Sequence, residues 1–306
     1  MRTLLENISE NRSEWLALRE KTMGSSEITT ILGLNQYSTP LQLWLKKTGR
    51  ADHDKENDEM WLGSALEKTI GALYSRKTDR AVTHSDTLYA HDSHEWATAS
   101  PDFLTSIAGI DGLVECKNVT HRSKHKWENG EVADYAHLQL MWQLGVLGLK
   151  IGSVAALVGG SARDFVYKDF EFSEKIFDSM LESASIFQEA IKSDVPPGAL
   201  GGDIDYLNAI ARPDTAKVIE LPQNSESIIL EFLDLENRIS ELNKAVKETE
   251  EKKKNLRALL TQQLGDANAG ILGDYTVQLK TSARKSYTVE ATTVTKFNVY
   301  KKKEAN

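Results

Sequence analysis

The sequence predicts a mixed α/β (α+β) fold followed by a long helical extension. Three observations predict it. Up to about residue 195, segments with helical spacing of apolar residues alternate with short runs of strand character. Val195-Pro196-Pro197-Gly198 then opens a stretch rich in Gly, Pro and Asp that ends near Pro222. From Ile228 apolar residues recur at alternating spacings of four and three, the pattern of a coiled-coil helix. The expected organisation is a folded domain over 1–195, a linker over 196–223 and a long-helix and basic extension over 224–306.

Each element has a local reason. Thr39-Pro40 reads as a helix start, with threonine as N-cap and proline at the first helical position. Leu41, Leu43, Trp44 and Leu45 follow, and Gly49 closes the helix. Asp58 opens a second helix, with Met60, Trp61, Leu62, Leu66, Ile70, Leu73 and Tyr74 at helical spacing. The period then changes. Residues 81–89, 94–100, 103–107 and 113–119 are short, bounded by turn residues, and read as strands. Gly109, Asp111 and Gly112 supply the tight turn before the last of them. A long helix covers about 132–147. Strands at 151–158 and 163–172 flank Gly159-Gly160-Ser161, and Ser173 caps a helix that reaches about Ser193. In the extension, Ile228, Phe232, Leu235, Ile239, Leu242, Val246, Leu256 and Leu260 form the seam, interrupted by Thr249 and Lys253. Gly265 ends it and 275–280 alternates as a strand. The tail is basic, with Lys280, Arg284, Lys285, Lys296, Lys301, Lys302 and Lys303. Self-association and an intrachain hairpin leave the same seam, and the tail reads equally as DNA-touching or solubilising.

Composition narrows the class. The chain has 306 residues, 40% hydrophobic and 27% charged, which excludes disorder, collagen and a disulfide scaffold. A single cysteine, Cys116, suits a reducing cytoplasm. No apolar run is long enough to span a membrane, and the acidic, polar first twelve residues do not read as a signal peptide. The formal net charge of −8 argues against nonspecific coating of DNA but leaves room for a local basic groove.

The chemistry concentrates in Ser100-Pro101-Asp102 and Glu115-Cys116-Lys117. Strand alternation puts Glu115 and Lys117 on one face and Cys116 on the other. A hairpin would bring Asp102 beside Glu115. Two carboxylates converging in a cleft form a hard-oxygen site for Mg²⁺, or alternatively Mn²⁺. Such a site polarises a phosphate and activates a water, and a neighbouring lysine holds that water or stabilises developing charge. The product is hydrolysis of a phosphodiester. Glu-x-Lys alone is cheap, since Glu250 and Glu251 also begin such triplets in the charged helix. Arg122, Lys124, His125 and Lys126 follow the catalytic strand, with Trp127 next, and suggest phosphate contacts with a base-stacking wedge. An ordinary solvated loop is the alternative. Arg76, Lys77 and Arg80 form a weaker basic patch, and Asp92 is a minor candidate for a supporting carboxylate.

Several pieces, in order over about residues 13–190, resemble the lambda-exonuclease-type, YqaJ-like viral recombinase family of the PD-(D/E)XK nuclease superfamily. Trp15-Leu16-Ala17-Leu18-Arg19 followed by Gly24-Ser25-Ser26-Glu27-Ile28 resembles its opening motif. Leu62-Gly63-Ser64-Ala65-Leu66-Glu67 resembles its helical G-x-x-x-E. Asp102, Glu115 and Lys117 match the core. Gln139, with Gln143-Leu144-Gly145-Val146-Leu147-Gly148 after it, resembles the glutamine-bearing helix. The resemblance implies a restriction-endonuclease-like core, a mixed central sheet flanked by helices, and a 5′-to-3′ exonuclease that leaves 3′ overhangs on linear duplex DNA for phage-type recombination. It implies that Asp102, Glu115 and the Cys116 carbonyl hold the metal. Lys117 would position the water, Glu67 support its network and Gln139 orient Lys117 or the water. Arg19 and Ser26 would bind the 5′-phosphate. It further implies double-stranded DNA ends as partner, a homo-oligomer (a trimeric ring in the lambda member), a single-strand annealing protein, and a bacterial host's cytoplasm. The roughly 110 residues after 195 are not explained by the compact family core. A structure-selective or helicase-associated endonuclease on the same core, and a non-catalytic DNA-end scaffold acting through the coiled coil, are the rival readings. Closed-circular DNA separates the first two, since an exonuclease leaves it intact.

Overall fold

A computed structural model describes residues 1–52, 57–210 and 218–279. The basic tail from Lys280 onward lies outside the described residues. The chain divides into two compact units, Met1–Ala211 and Arg212–Asn306.

The first unit opens with β1 (Arg2–Glu6), α1 (Arg12–Lys21), α2 (Ser25–Ile31), α3 (Pro40–Lys47) and α4 (Asp58–Thr78). β2 (Val82–His84), β3 (Thr87–Ala90), β4 (Thr98–Ala99), β5 (Phe103–Ile107) and β6 (Ile110–Val119) follow. α5 (Asp134–Leu147), β7 (Ile151–Val158), β8 (Phe165–Glu171), α6 (Glu174–Lys192) and α7 (Ile204–Ile210) complete it. The expected α/β class is borne out. Five strands form a mixed sheet in the order β2-β5-β6-β7-β8. Only β6 and β7 run parallel, and α5 makes the crossover that a parallel pair requires. One apolar core lies on the α5 side, around Leu113, Leu140, Trp142 and Val154. A second lies under α4, around Ile70, Tyr74, Phe103, Val114 and Cys116, and a small third gathers Leu5, Ile8 and Leu88.

Helix α3 begins at the helix start that Thr39-Pro40 predicts, and α4 takes its cap from Asn57, one residue before the expected opening at Asp58. Thr39 accepts from the Gln42 N–H at 3.2 Å and Asn57 from the Met60 N–H at 2.9 Å. The expected strand over 81–89 is broken. Ser85 and Asp86 turn the chain, so β2 joins the main sheet while β3 joins a second sheet of order β1-β3-β4. The turn is held by Asp86, whose carboxylate accepts from the Ser9 N–H at 3.0 Å and the Ser9 hydroxyl at 2.5 Å. Of 94–100 only Thr98–Ala99 is strand. Strand β1 has no counterpart among the sequence expectations, because its pairing partner Thr87–Ala90 lies some eighty residues away. Nor does the first unit stop at 195. Asp203, fully buried, accepts from Thr39 and from Gln42 Nε2 at 3.0 Å, which docks the stretch before α7 onto α3.

The second unit holds α8 (Ser225–Leu264) and the hairpin of β9 (Ala269–Leu272) and β10 (Tyr275–Gln278). No described helix is long and apolar enough to cross a membrane.

Candidate active site

The β5–β6 hairpin assembles the centre. Its antiparallel register sets Phe103 opposite Val114, which brings Asp102, one residue before β5, to the level of Glu115. Asp102 Oδ2 accepts from the Cys116 N–H at 2.6 Å. Alternation then does what the sequence suggested: Val114 and Cys116 pack under α4, and Glu115 and Lys117 point the other way. Glu115 is not in an open cleft, however. It is 4% exposed, ion-paired through Oε1 to Lys117 Nζ and hydrogen-bonded through Oε2 to Gln143 Nε2 at 2.6 Å.

Electrostatics add Glu67 from α4. Burial pushes the Asp102 carboxyl well above the usual carboxylate range, and Glu115 and Glu67 push it further. Glu67 is raised in the same way, by burial first and by Glu115 second. Burial pulls the Lys117 ammonium down, but Glu115 and Asp102 outweigh it and hold its pKa above the ordinary value. Three carboxylates therefore share one lysine. A divalent cation fits that donor set, because it would relieve the repulsion that keeps Asp102 and Glu67 hard to ionise. No group of three or more His, Cys, Asp or Glu among the described residues is arranged to hold a metal by itself. Asp102 and Glu115 would thus need the Cys116 carbonyl and waters beside them, as hard cations that keep part of their hydration accept.

A second corner forms where α1 ends and α2 begins. Arg19 Nη2 donates to Ser26 Oγ at 3.3 Å, and its guanidinium lies 4.8 Å over the Trp15 ring. Both expected phosphate ligands are therefore together. Lys47 on α3, which the sequence reading did not single out, is what sets this corner. Its ammonium pairs with Glu27 Oε1 at 2.8 Å and donates to the carbonyls of Thr22, at 2.6 Å, and Arg19. Burial lowers its pKa and Glu27 partly restores it. Glu27 in turn accepts from the Gly24 N–H at 2.9 Å. Gln143 links the two corners, reaching Ser25 Oγ at 3.3 Å as well as Glu115.

Two expectations are corrected. Gln139 makes no hydrogen bond to Lys117. It is buried and its amide reaches Thr29 Oγ1 at 3.5 Å, while Gln143, one turn later on α5, takes the position against Glu115. The two lie at i and i+4 on one helical face, so sequence spacing alone does not choose between them. Trp127 is not a wedge. It is 2% exposed and packs edge-to-face on Tyr135 at 6.3 Å. Arg122 and Lys126 are exposed, and Lys124 is half-buried beside Asp164 at 3.3 Å. Arg80 of the weaker basic patch is bound to Asp169, and Asp92 pairs with the N-terminal amine at 2.7 Å.

Residues 14–150 match the YqaJ-like viral recombinase domain. The expected resemblance is thereby borne out. The recombinase-like stretch begins one residue before Trp15 and ends just before β7, so it contains Arg19, Ser26, Glu67, Asp102, Glu115, Lys117, Gln139 and Gln143. YqaJ of Bacillus subtilis (strain 168) is 28% identical over 279 residues, covering 89% of this chain and 84% of that protein. An alignment of that length extends well beyond residue 150. Among solved structures, the alkaline exonuclease LHK-Exo from Laribacter hongkongensis aligns with TM-score 0.51 and 18% identity. LHK-Exo in complex with dAMP aligns with TM-score 0.52 and 17% identity. Each covers 64% of this chain and 96% of its own. These two show a shared fold.

Proposed function

We propose that the chain is a metal-dependent 5′-to-3′ exonuclease on linear double-stranded DNA. It leaves 3′ single-stranded overhangs for phage-type recombination by strand annealing. The observation that carries this reading is the convergence of Asp102, Glu115 and Lys117, joined through Gln143 and Ser25 to the corner that holds Arg19 and Ser26. A catalytic centre beside a cationic, hydroxyl-bearing corner suits an enzyme that grips a terminal phosphate and cuts one nucleotide away. The match to the viral recombinase domain supports the same reading. LHK-Exo, which shares the fold, is an alkaline exonuclease whose structure with dAMP holds a mononucleotide.

The roles follow from the contacts. Asp102, Glu115 and the Cys116 carbonyl would hold Mg²⁺, or Mn²⁺ in its place. The bound cation supplies Lewis-acid polarisation and an activated water. Lys117 holds the attacking water and stabilises charge that develops on the phosphate. Glu67 accepts from that water network. Gln143 fixes the Glu115 carboxylate. The water oxygen bonds to phosphorus as the P–O3′ bond breaks, and the departing 3′ oxygen takes up a proton. The remaining strand then carries a new 5′-phosphate, which Arg19 and Ser26 bind for the next cycle. Exposed Arg122 and Lys126 contact backbone phosphates without reading sequence. A homo-oligomer, ring-shaped as in the lambda-type resemblance, and a strand-annealing partner belong to the same reading.

The test is digestion of a linear duplex phosphorylated at one 5′ end and blocked at the other, in Mg²⁺ and in EDTA, beside a closed circle. Mononucleotide release from the phosphorylated end alone is expected. EDTA abolishes it, and Lys117→Ala lowers it at least about 100-fold while DNA binding persists. Nicking of the circle would favour the structure-selective endonuclease. Bound but undigested DNA would overturn the catalytic reading.

A further inference from the structure

Helix α8 buries none of its forty residues. Its seam residues Ile228, Leu235, Ile239, Leu242, Val246, Leu256 and Leu260 are between 44% and 68% exposed. A helix owes most of its stability to packing an apolar face, and the second unit has no other helix among the described residues. The alternation of three and four calls for a helical partner.

We propose that this partner is a second copy of α8, paired antiparallel about Lys244. Two features of the seam favour that arrangement over a parallel one. The first is register. Ile228 and Leu260, Leu235 and Lys253, Ile239 and Thr249, and Leu242 and Val246 are pairwise equidistant from Lys244. An antiparallel pair therefore matches every seam layer with another seam layer. Each polar interruption then meets an apolar side chain: Lys253 lies against the partner's Leu235, and Thr249 against the partner's Ile239. The Lys253 stem covers that leucine while its ammonium reaches out toward the partner's Asp234 or the partner's Glu236. A parallel pair would instead stack Lys253 on its own copy. It would also set Glu231 across from Glu236, and Lys252 across from Arg257, in like-charged contacts at the flanks.

The second feature is charge. Residues 225–244 carry five acids and two bases, and residues 245–264 carry three acids and five bases. Antiparallel pairing lays the acidic half on the basic half. The helix dipole does not account for this division, because its influence fades within the first and last turns. The cluster Lys252-Lys253-Lys254 sits well inside the helix end at Leu264.

This inference rests on the second unit alone and stands apart from the nuclease reading. Its test uses the full chain in two single variants, Leu235→Cys and Lys253→Cys, each oxidised alone and as a mixture. Cys116 is 6% exposed and its thiol pKa is pushed up by burial, so it stays silent. The mixture is expected to give a disulfide-linked dimer that neither variant gives alone. In the antiparallel pair two copies of Leu235 stand roughly 27 Å apart, at about 1.5 Å per residue. Ile239→Cys with Thr249→Cys repeats the experiment at a second layer, with helicity checked by circular dichroism. Cross-linking of any variant with itself overturns the antiparallel register. Failure of both mixtures to cross-link, with helicity retained, overturns self-pairing altogether.

Discussion

Gln143 and Gln139 sit one turn apart on α5, yet of the two it is Gln143 that hydrogen-bonds Glu115. Its amide donates to one carboxylate oxygen while Lys117 takes the other, which leaves Glu115 a single orientation. Losing such a supporting hydrogen bond costs roughly 10–100-fold in activity. Gln143→Ala is expected to lower the digestion rate by that factor, and Gln139→Ala to change it less than about threefold. Single-turnover digestion of the two variants checks this, and equal losses would return the role to Gln139. The convergence of Asp102 and Glu115 was legible from the strand periods and turn residues around them, while their catalytic role came from the family resemblance. The Lys47–Glu27 pair was not legible. Lys47 ends a helix that reads as ordinary and amphipathic, and its burial becomes visible only when α1, α2 and α3 are packed together.

Helix α4 carries Glu67 to the centre and must be held against the sheet. A hydrogen-bond network running from buried Tyr74 and Ser153 out to Asp169 and Arg80 at the surface does this. Tyr74 and Ser153 share a hydrogen bond of 2.7 Å, and Asp169 accepts from Ser153 at 2.5 Å and from Arg80 at 2.8 and 2.7 Å. Burial raises the Asp169 pKa, but the bonds from Arg80 and Ser153 prevail and hold it below the ordinary 3.8. The folded state therefore favours the carboxylate. Its stabilising contribution is present above pH about 3.9 and is lost as pH falls through the lower folded value. Asp169→Asn is expected to lower the thermal midpoint at neutral pH, with the gap to wild type closing below pH about 4. Melting curves at stepped pH would show it, and a gap independent of pH would refute the account. Close packing on the same helix gives a second expectation. A Cβ on Gly71 would lie 2.4 Å from the Phe103 ring, beside Asp102. Gly71→Ala should cost about 1–3 kcal/mol of stability and lower activity as well, because the strain acts between the supports of Glu67 and Asp102. Chemical denaturation with a parallel activity assay measures both.

The whole chain consists of two compact units. The buried apolar clusters among the described residues all lie in the first, so a chain ending at Ala211 should fold alone. It is expected to keep cooperative unfolding and, under the proposed function, nuclease activity, while losing any association that depends on α8. Calorimetry and sedentation-based mass determination of that shortened chain test this; loss of cooperative unfolding would show that the second unit is needed for folding.

By itself the sequence determined the fold class, the start of α3 at Thr39-Pro40, the approximate spans of β6, α5 and β7, the carboxylate–lysine core and the seam of α8. These rest on local periods and turn residues, which a chain records wherever they occur. Tertiary structure alone decided that 81–89 splits between two sheets, that Trp127 is interior, that Asp203 fastens the stretch before α7 to α3 and that Gln143 rather than Gln139 meets Glu115. Each depends on which of two compatible faces finds a distant partner. That choice is made by packing between segments tens of residues apart, where no local pattern distinguishes the alternatives.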